Sequence, residues 1–329
     1  MAVPPVPAGA PRPLISVVLP VYEPDRYLID ALHSVLRQDH GPERMQIAIV
    51  DDASPTSDVE ALVAEAAPPG RVEIRRAASN QGLGGNWNEC LRIARGEIVH
   101  LLHQDDWVAP GFYARMLPAF AAHAGVAMAF CRHEYIDRDN RVTRRSHRER
   151  WRSGPLHGWL QEIIQKQRIQ CASALVRRSV YERLGGYRLD LRYALDWEMW
   201  VRIAAYYDVS YEPEVLARYR RHDASETARL RNDGALSGDV LKAIALFAPH
   251  LPVDRRDRLM SAAYASFARR TLRQLEKRKN QGDMGELVEL VNVAIAKMTH
   301  SPWSVQRYRK RLSRLTQDNS RGTRSTKPP

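Results

Sequence analysis

Three apolar runs punctuate the first hundred residues, and each ends on polar or acidic side chains. The first, LISVVLPV (14–21), is β-branched and apolar and closes around a proline. The second, MQIAIVDDAS (45–54), and the third, EIVHLLHQDD (97–106), run straight into paired acids. Continuous apolar runs of this length predict strands buried on both faces. Between them the period changes to that of a helix. In RYLIDALHSVLRQ (26–38), Leu28, Leu32, Val35 and Leu36 share one face. SDVEALVAEAA (57–67) opens on a Ser/Asp cap and predicts a second helix. VEIRRA (72–77) predicts a short strand, NQGLGGN (80–86) a loop, and NWNECLRIARG (86–96) a helix stopped by Gly96.

Strands alternating with helices from 14 to 106 predict an α/β fold, a mainly parallel sheet with helices on both faces. Ligands of such sheets bind beyond the carboxyl ends of the strands. Parallel strands point the same way, so Tyr22 and Glu23, Asp51 and Asp52, and Asp105 and Asp106 are expected on one rim.

Past residue 125 the pattern loosens. VAMAFCRHEYI (126–136) predicts a strand and the basic stretch 138–152 a loop. ASALVRRSVYERLGGY (172–187) predicts a strand, a helix and a glycine turn. DWEMWVRIAAYY (196–207) predicts a helix and VSYEPEVLARYRRH (209–222) a pair of strands; from about 234 the chain reads as helical. No internal repeat is evident. The expected organisation is a Pro/Ala-rich leader without structure (1–13), one large domain (14–225), a basic helical region (226–315) and a structureless tail (316–329).

Charge sharpens that division. The net charge is +12, and residues 226–329 carry 21 Lys/Arg against 10 Asp/Glu. An anionic partner is therefore expected at the C-terminal third. The three cysteines, Cys90, Cys131 and Cys171, have neither disulfide nor zinc spacing, which fits a cytoplasmic protein. The N-terminus lacks the basic start and apolar core of a signal peptide. No apolar run approaches the ~20 residues of a membrane span.

Adjacent carboxylates suit a hard divalent cation, Mg²⁺ or Mn²⁺, which takes one or two protein acids and completes its shell with phosphate oxygens and water. Such an ion stabilises a diphosphate as a bond breaks. A nucleotide-diphosphate substrate follows as the expectation, against the plainer reading of two solvated acids in a loop.

LPVYEPDRYLIDALHSVLRQ, IAIVDDAS, NQGLGGNWNECLRIARGEIVHLLHQDDW and YALDWEMWVRIA occur in this order. Together they resemble the family 2 glycosyltransferases, inverting enzymes of GT-A fold, over roughly residues 14–225. The resemblance implies a role for each matched position. Pro20, Val21, Tyr22 and Glu23 fall where the first strand ends against the nucleoside, with Tyr22 flanking the base. Asp52, with Asp51, falls where a carboxylate accepts a hydrogen bond from the base, which favours a UDP- or dTDP-linked donor. Asn80 and Gly82 fall beneath the ribose and phosphate. Gln104 and Asp105 fall at the DxD-type motif, with Asp105 as metal-binding acid and Asp106 beside it. His222 falls where a late polar residue faces the diphosphate and is grouped with the metal side. Asp196 falls on the catalytic base.

One departure stands out. His103 occupies the place of the motif's first acid and cannot supply its charge. The QxxRW motif of processive members is absent, which implies one sugar per binding event. The acceptor implied is a glycan or lipid-linked glycan of the bacterial cell surface.

Asp196 opens the helix of LDWEMW, where the helix dipole favours the ionised form a base requires. Each candidate has a plainer reading: Asp196 as an N-cap, Glu198 as a backup pointing elsewhere, His103 as a structural residue, and Trp87, Trp197 and Trp200 as core aromatics. Cys90 reads as packing. SPWSVQRYRKRLSRL (301–315) is a basic amphipathic helix, docked on its domain or lying on an anionic membrane at the inner face of the plasma membrane. Rival functions fit less well. Nucleic-acid binding lacks any recognisable motif, and a nucleotidyltransferase would carry a Gly-rich basic loop where PVYEPDRY stands.

Overall fold

A computed structural model describes residues 2–222, 236–278, 284–300 and 302–322. The residues between 223 and 235, the Ser301 cap and the last seven residues of the tail lie outside the described set. The chain forms two compact units: Met1–Trp159 with Arg168–Arg229, and Leu160–Gln167 with Leu230–Pro329.

The first unit is built on one sheet. Its strands are β1 (Ile15–Val21), β2 (Met45–Asp51), β3 (Glu73–Arg76), β4 (Ile98–Leu101), β5 (Trp107–Val108), β6 (Val126–Ile136), β7 (Val142–Arg145), β8 (Gly154–Pro155), β9 (Ala174–Arg177) and β10 (Asp208–Arg220). The order is β3-β2-β1-β4-β9-β6-β10-β5, with β7 on β6 and β8 on β10. Strands β3, β2, β1 and β4 are parallel, as are β6 and β10. Antiparallel β9 joins the two sets, so the sheet is mixed. Helices α1 (Tyr27–Leu36), α2 (Val59–Ala66), α3 (Gly82–Ile93), α4 (Phe112–Met116), α5 (Pro118–Ala122), α7 (Arg178–Leu184) and α8 (Leu195–Tyr206) complete the order, and α6 (Trp159–Ile163) belongs from Leu160 on to the second unit. Every residue of β1 and β2 is buried, as runs apolar on both faces require. The Asp58 carboxylate caps α2 by accepting from the Ala61 N–H at 2.9 Å.

Several elements differ from the sequence expectation, each for a physical reason. Residues 208–220 form one strand, not two; Pro213 is accommodated where the register with β6 shifts between Glu212 and Val215. The basic stretch 138–152 folds back partly as β7, because its arginines find partners across the hairpin. Arg145 Nε donates to Glu134 at 2.8 Å, and the Arg144 guanidinium lies 3.9 Å from the centre of the Tyr135 ring. Helix α3 begins at Gly82, inside the expected loop.

Gly96 does not stop that helix, which ends at Ile93. Its role is close approach: a Cβ there would lie 2.4 Å from the Ser16 backbone nitrogen. Gly96→Ala should therefore cost about 1–3 kcal/mol of stability, read as a lower denaturation midpoint. The leader has no regular element but is held down. Val3 is buried, and the Pro4 carbonyl accepts from Arg178 Nη2 at 2.9 Å.

The second unit contains α9 (Leu236–Phe247), α10 (Arg256–Arg278), α11 (Gly285–Ala296) and α12 (Pro302–Gly322). Leu312 and Leu315 of α12 are buried, and Arg311 pairs with Glu276 of α10 at 2.5 Å. Helix α12 runs on through residues 316–322, part of the stretch expected to lack structure. Among the described residues no helix is long and apolar enough to cross a membrane.

Candidate active site

The carboxyl ends of β1, β2 and β4 are tied together by their own polar groups. Beyond β1, the Gln104 side chain grips the Tyr22 backbone at two points. Its Oε1 accepts from Tyr22 N–H at 2.8 Å and its Nε2 donates to Tyr22 O at 3.1 Å. On the other side, Asp52 N–H donates to Val21 O at 2.8 Å. These bonds set the acids after β2 and the acids after β4 on either side of the β1 tip. Tyr22 is left 43% exposed there, free to present its ring. Glu23 and Ala53, each two residues past its strand's end, have φ values of +45° and +58°. Non-glycine residues adopt that conformation at a cost of order 1 kcal/mol each, and such strain clusters at binding rims.

Glu23 is held by Thr56 and Ser57, whose N–H groups donate to its carboxylate at 2.9 and 3.1 Å. The Thr56 hydroxyl bonds it as well. The hydrogen bonds from Thr56 lead in lowering its pKa. Asp51 is buried and spends its carboxylate on Ser54 and on Arg76 Nη1, the latter at 2.7 Å. Asp52, 2% exposed, caps α3, accepting from Gln81 N–H at 2.8 Å and Gly82 N–H at 3.0 Å. Burial raises its pKa, against these two bonds. Each oxygen keeps a second lone pair for a ligand donor. Asn80 Oδ1 also accepts from Gly82 N–H, at 2.9 Å, and Gly82 has φ +72°. Asn80, Gly82 and Asp52 thus form one corner. Pro20 and Val21 are buried and contribute backbone.

The acid pair after β4 divides its work. Asp105 is partly exposed, and its Oδ2 lies 3.0 Å from His222 Nε2. That bond leads in raising the His222 pKa. Asp106 is fully buried. Its Oδ1 accepts from the Arg220 N–H at 2.9 Å. Its Oδ2 lacks a hydrogen-bond partner among the described residues, as does His103 Nε2. Burial, with the Asp105 charge adding to it, pushes the Asp106 carboxyl well above the usual range. The ligand atoms of His103, Asp105 and Asp106 all lie within 4.8 Å of one another. His103 is stacked on Trp87 of α3, ring centres 4.8 Å apart. It is therefore both packed, as the sequence suggested, and placed among the acids.

These residues fit a hard cation on their own evidence: clustered oxygen and nitrogen ligands with orphaned buried lone pairs, in a setting that penalises the bare charge. The arrangement can hold a divalent ion against a diphosphate.

Asp196 lies in the first turn of α8 and is half-buried; its Oδ1 accepts from Trp197 N–H at 2.6 Å. The buried Cys171 thiol feels both Asp196 and Asp106, and burial followed by these two charges raises its pKa. Glu198 points inward and pairs with Arg202 at 2.7 Å, and Trp87, Trp197 and Trp200 are core residues.

Arg220 is the residue that the sequence reading missed. It is wholly buried at the end of β10. Its Nε donates to Asp105 O at 3.0 Å, its Nη1 to Asp137 O at 3.2 Å and its Nη2 to Asn140 Oδ1 at 2.8 Å. The guanidinium also lies 4.0 Å from the centre of the Tyr27 ring. It fastens the acid loop to the hairpin turn beside it. The only signal in the sequence was its place two residues before His222 in YRRH.

Residues 16–185 match the sequence model of Glycosyl transferase family 2. The uncharacterized protein MT1568 of Mycobacterium tuberculosis is 32% identical over 233 residues, 67% of this chain and 70% of that protein. The minor teichoic acid biosynthesis protein GgaB of Bacillus subtilis is 31% identical over 110 residues, 33% of this chain and 12% of that protein's length. The crystal structure of S. aureus TarS 1–349 in complex with UDP-GlcNAc superposes with a TM-score of 0.69 at 15% identity, over 96% of this chain and 93% of the other.

Proposed function

The chain belongs to the family 2 glycosyltransferases and has their GT-A fold, and from that premise we propose an inverting, metal-assisted transfer of one sugar per encounter with Asp196 as general base. A nucleotide-diphosphate sugar, UDP- or dTDP-linked, sits at the β1–β2–β4 rim with its base between Tyr22 and Asp52. The acceptor is a glycan or lipid-linked glycan of the cell surface, in keeping with the teichoic acid relative and with work at the inner face of the plasma membrane. Nucleic acid is not a partner.

The acceptor hydroxyl attacks the anomeric carbon in line, opposite the diphosphate. Its proton passes to the Asp196 carboxylate as the new C–O bond forms. The bond from the anomeric carbon to the phosphate oxygen breaks, and its electron pair leaves with the nucleoside diphosphate. His103, Asp105 and Asp106 would hold Mg²⁺ or Mn²⁺, with His222 steadying Asp105; the ion would offset the charge gathering on the diphosphate. Gln104 fixes the Tyr22 backbone and Arg220 fixes the acid loop, so neither segment needs to reorganise when the donor arrives.

The observation that carries this reading is the trio His103, Asp105 and Asp106 at the sheet rim, its ligand atoms within 4.8 Å of one another. The test is thermal denaturation with UDP-, dTDP- and GDP-sugars, each with and without Mn²⁺. A ligand bound only by the folded state raises the melting temperature by mass action. A uridine or thymidine donor should raise it by several degrees, and more with the ion present. A flat response to every nucleotide sugar in both conditions would end the proposal.

A further inference from the structure

The second unit carries a basic groove that sugar transfer does not explain. A cavity of about 470 Å³ opens beside α12, lined by Arg307, Lys310, Arg311, Arg314 and Leu315 together with Glu276 of α10. Glu276 is occupied: Arg311 holds it with two hydrogen bonds, from Nε at 2.6 Å and Nη2 at 2.5 Å. No other acid among the described residues lines the groove. Arg307, Lys310 and Arg314 are exposed and have no carboxylate partner among the described residues. Cations set this close repel one another, so the arrangement favours a ligand that brings negative charge.

Trp303 identifies the ligand further. It is 85% exposed and lies four residues before Arg307, one turn away on the same face. At about 100° per residue, Trp303, Arg307, Lys310, Arg311 and Arg314 fall within an arc of about 100°. The apolar stripe expected to meet a membrane is not available, because Leu312 and Leu315 are buried within the unit. What remains outside is a row of cations ending in a bare indole. A soluble phosphate has no use for the indole. A bilayer surface does: phosphate headgroups meet the cations, and tryptophan settles at the boundary between headgroup and hydrocarbon.

The geometry points to this groove and Trp303 as a docking site for phosphate-bearing lipid headgroups of an anionic bilayer. Binding is electrostatic with one aromatic anchor, not insertion of an amphipathic face. The inference goes beyond the transfer reaction and needs neither donor nor metal, so either can fail alone.

The test is co-sedimentation of the full chain with vesicles of phosphatidylcholine containing about 30% phosphatidylglycerol, and with pure phosphatidylcholine, at low and high salt. Binding should need the anionic lipid and weaken with salt. R307Q/K310Q/R314Q should lower the partition coefficient by about two orders of magnitude. Trp303→Ala should weaken binding further while the melting temperature holds. Adding inorganic polyphosphate distinguishes a soluble polyanion. Binding to polyphosphate without binding to anionic vesicles overturns the proposal, as does vesicle binding that the triple variant retains in full. If the triple variant fails to fold, R307Q and W303A singly must each reduce binding, or the proposal falls.

Discussion

Asp196→Asn is expected to reduce sugar transfer by about 10²–10⁴-fold while leaving nucleotide-sugar binding in place. The carboxamide keeps the side chain's size and can still accept the Trp197 N–H that the aspartate accepts at 2.6 Å, so α8 should keep its start. What it loses is the ability to take a proton from the acceptor hydroxyl. Glu198, the acid two residues on, is not free to replace it, because it is buried against Arg202. Initial rates at saturating donor, set beside the donor-induced melting shift, separate the two effects. Near-normal transfer would remove Asp196 from the reaction. Loss of the melting shift together with the rate would reassign it to donor binding.

Asp105→Asn is expected to cut transfer by about 10²–10³-fold, the usual cost of removing one group that stabilises developing charge. The same substitution should erase the extra melting shift that Mn²⁺ gives with a nucleotide sugar. The fold should tolerate the change, since Asp105 is partly exposed and an asparagine oxygen can still meet His222 Nε2, now 3.0 Å from the carboxylate. Asp106→Asn provides the contrast. That carboxylate is buried and its Oδ1 holds the Arg220 N–H, so the variant probes loop placement together with the ion. An Asp105 variant as active as the parent, with its Mn²⁺ response intact, would show that the ion, if bound, is held elsewhere.

These expectations rest on pieces of unequal legibility. The strands β1, β2 and β4 were readable because a strand buried on both faces leaves a short, near-continuous apolar run rich in β-branched residues. The acids at their tips were readable for the same reason: in a parallel sheet, position along the strand fixes the end of the sheet. Their division of labour was not. Asp51 and Asp52 are neighbours in sequence, yet one closes onto Ser54 and Arg76 while the other caps α3. Asp105 and Asp106 likewise part, one toward His222 and one into the interior. Alternation sends adjacent side chains to different environments, and only the surrounding elements say which environment each one meets.

The same limit explains the errors of local structure. Gly82–Gly85 read as loop because glycine disfavours a helix interior, whereas Asp52 and tertiary packing set the start of α3 there. Residues 209–222 read as a pair of strands, whereas one strand runs through and a register shift against β6 absorbs Pro213. The basic stretch 138–152 read as a loop, whereas Glu134 and Tyr135 stand opposite its arginines and draw part of it into β7.

The sequence by itself determined the layered α/β plan, the rim on which the acids gather and the basic character of the C-terminal third, since each follows from the order of residues along one segment. The tertiary structure alone decided which acid is exposed, that His103 joins Asp105 and Asp106, that Arg220 holds their loop, and that the cations of α12 face outward while its leucines are covered. Those outcomes depend on segments separated along the chain meeting in the fold, as Arg220 and His222 meet Asp105 from more than a hundred positions away, and spacing along the chain does not encode such meetings.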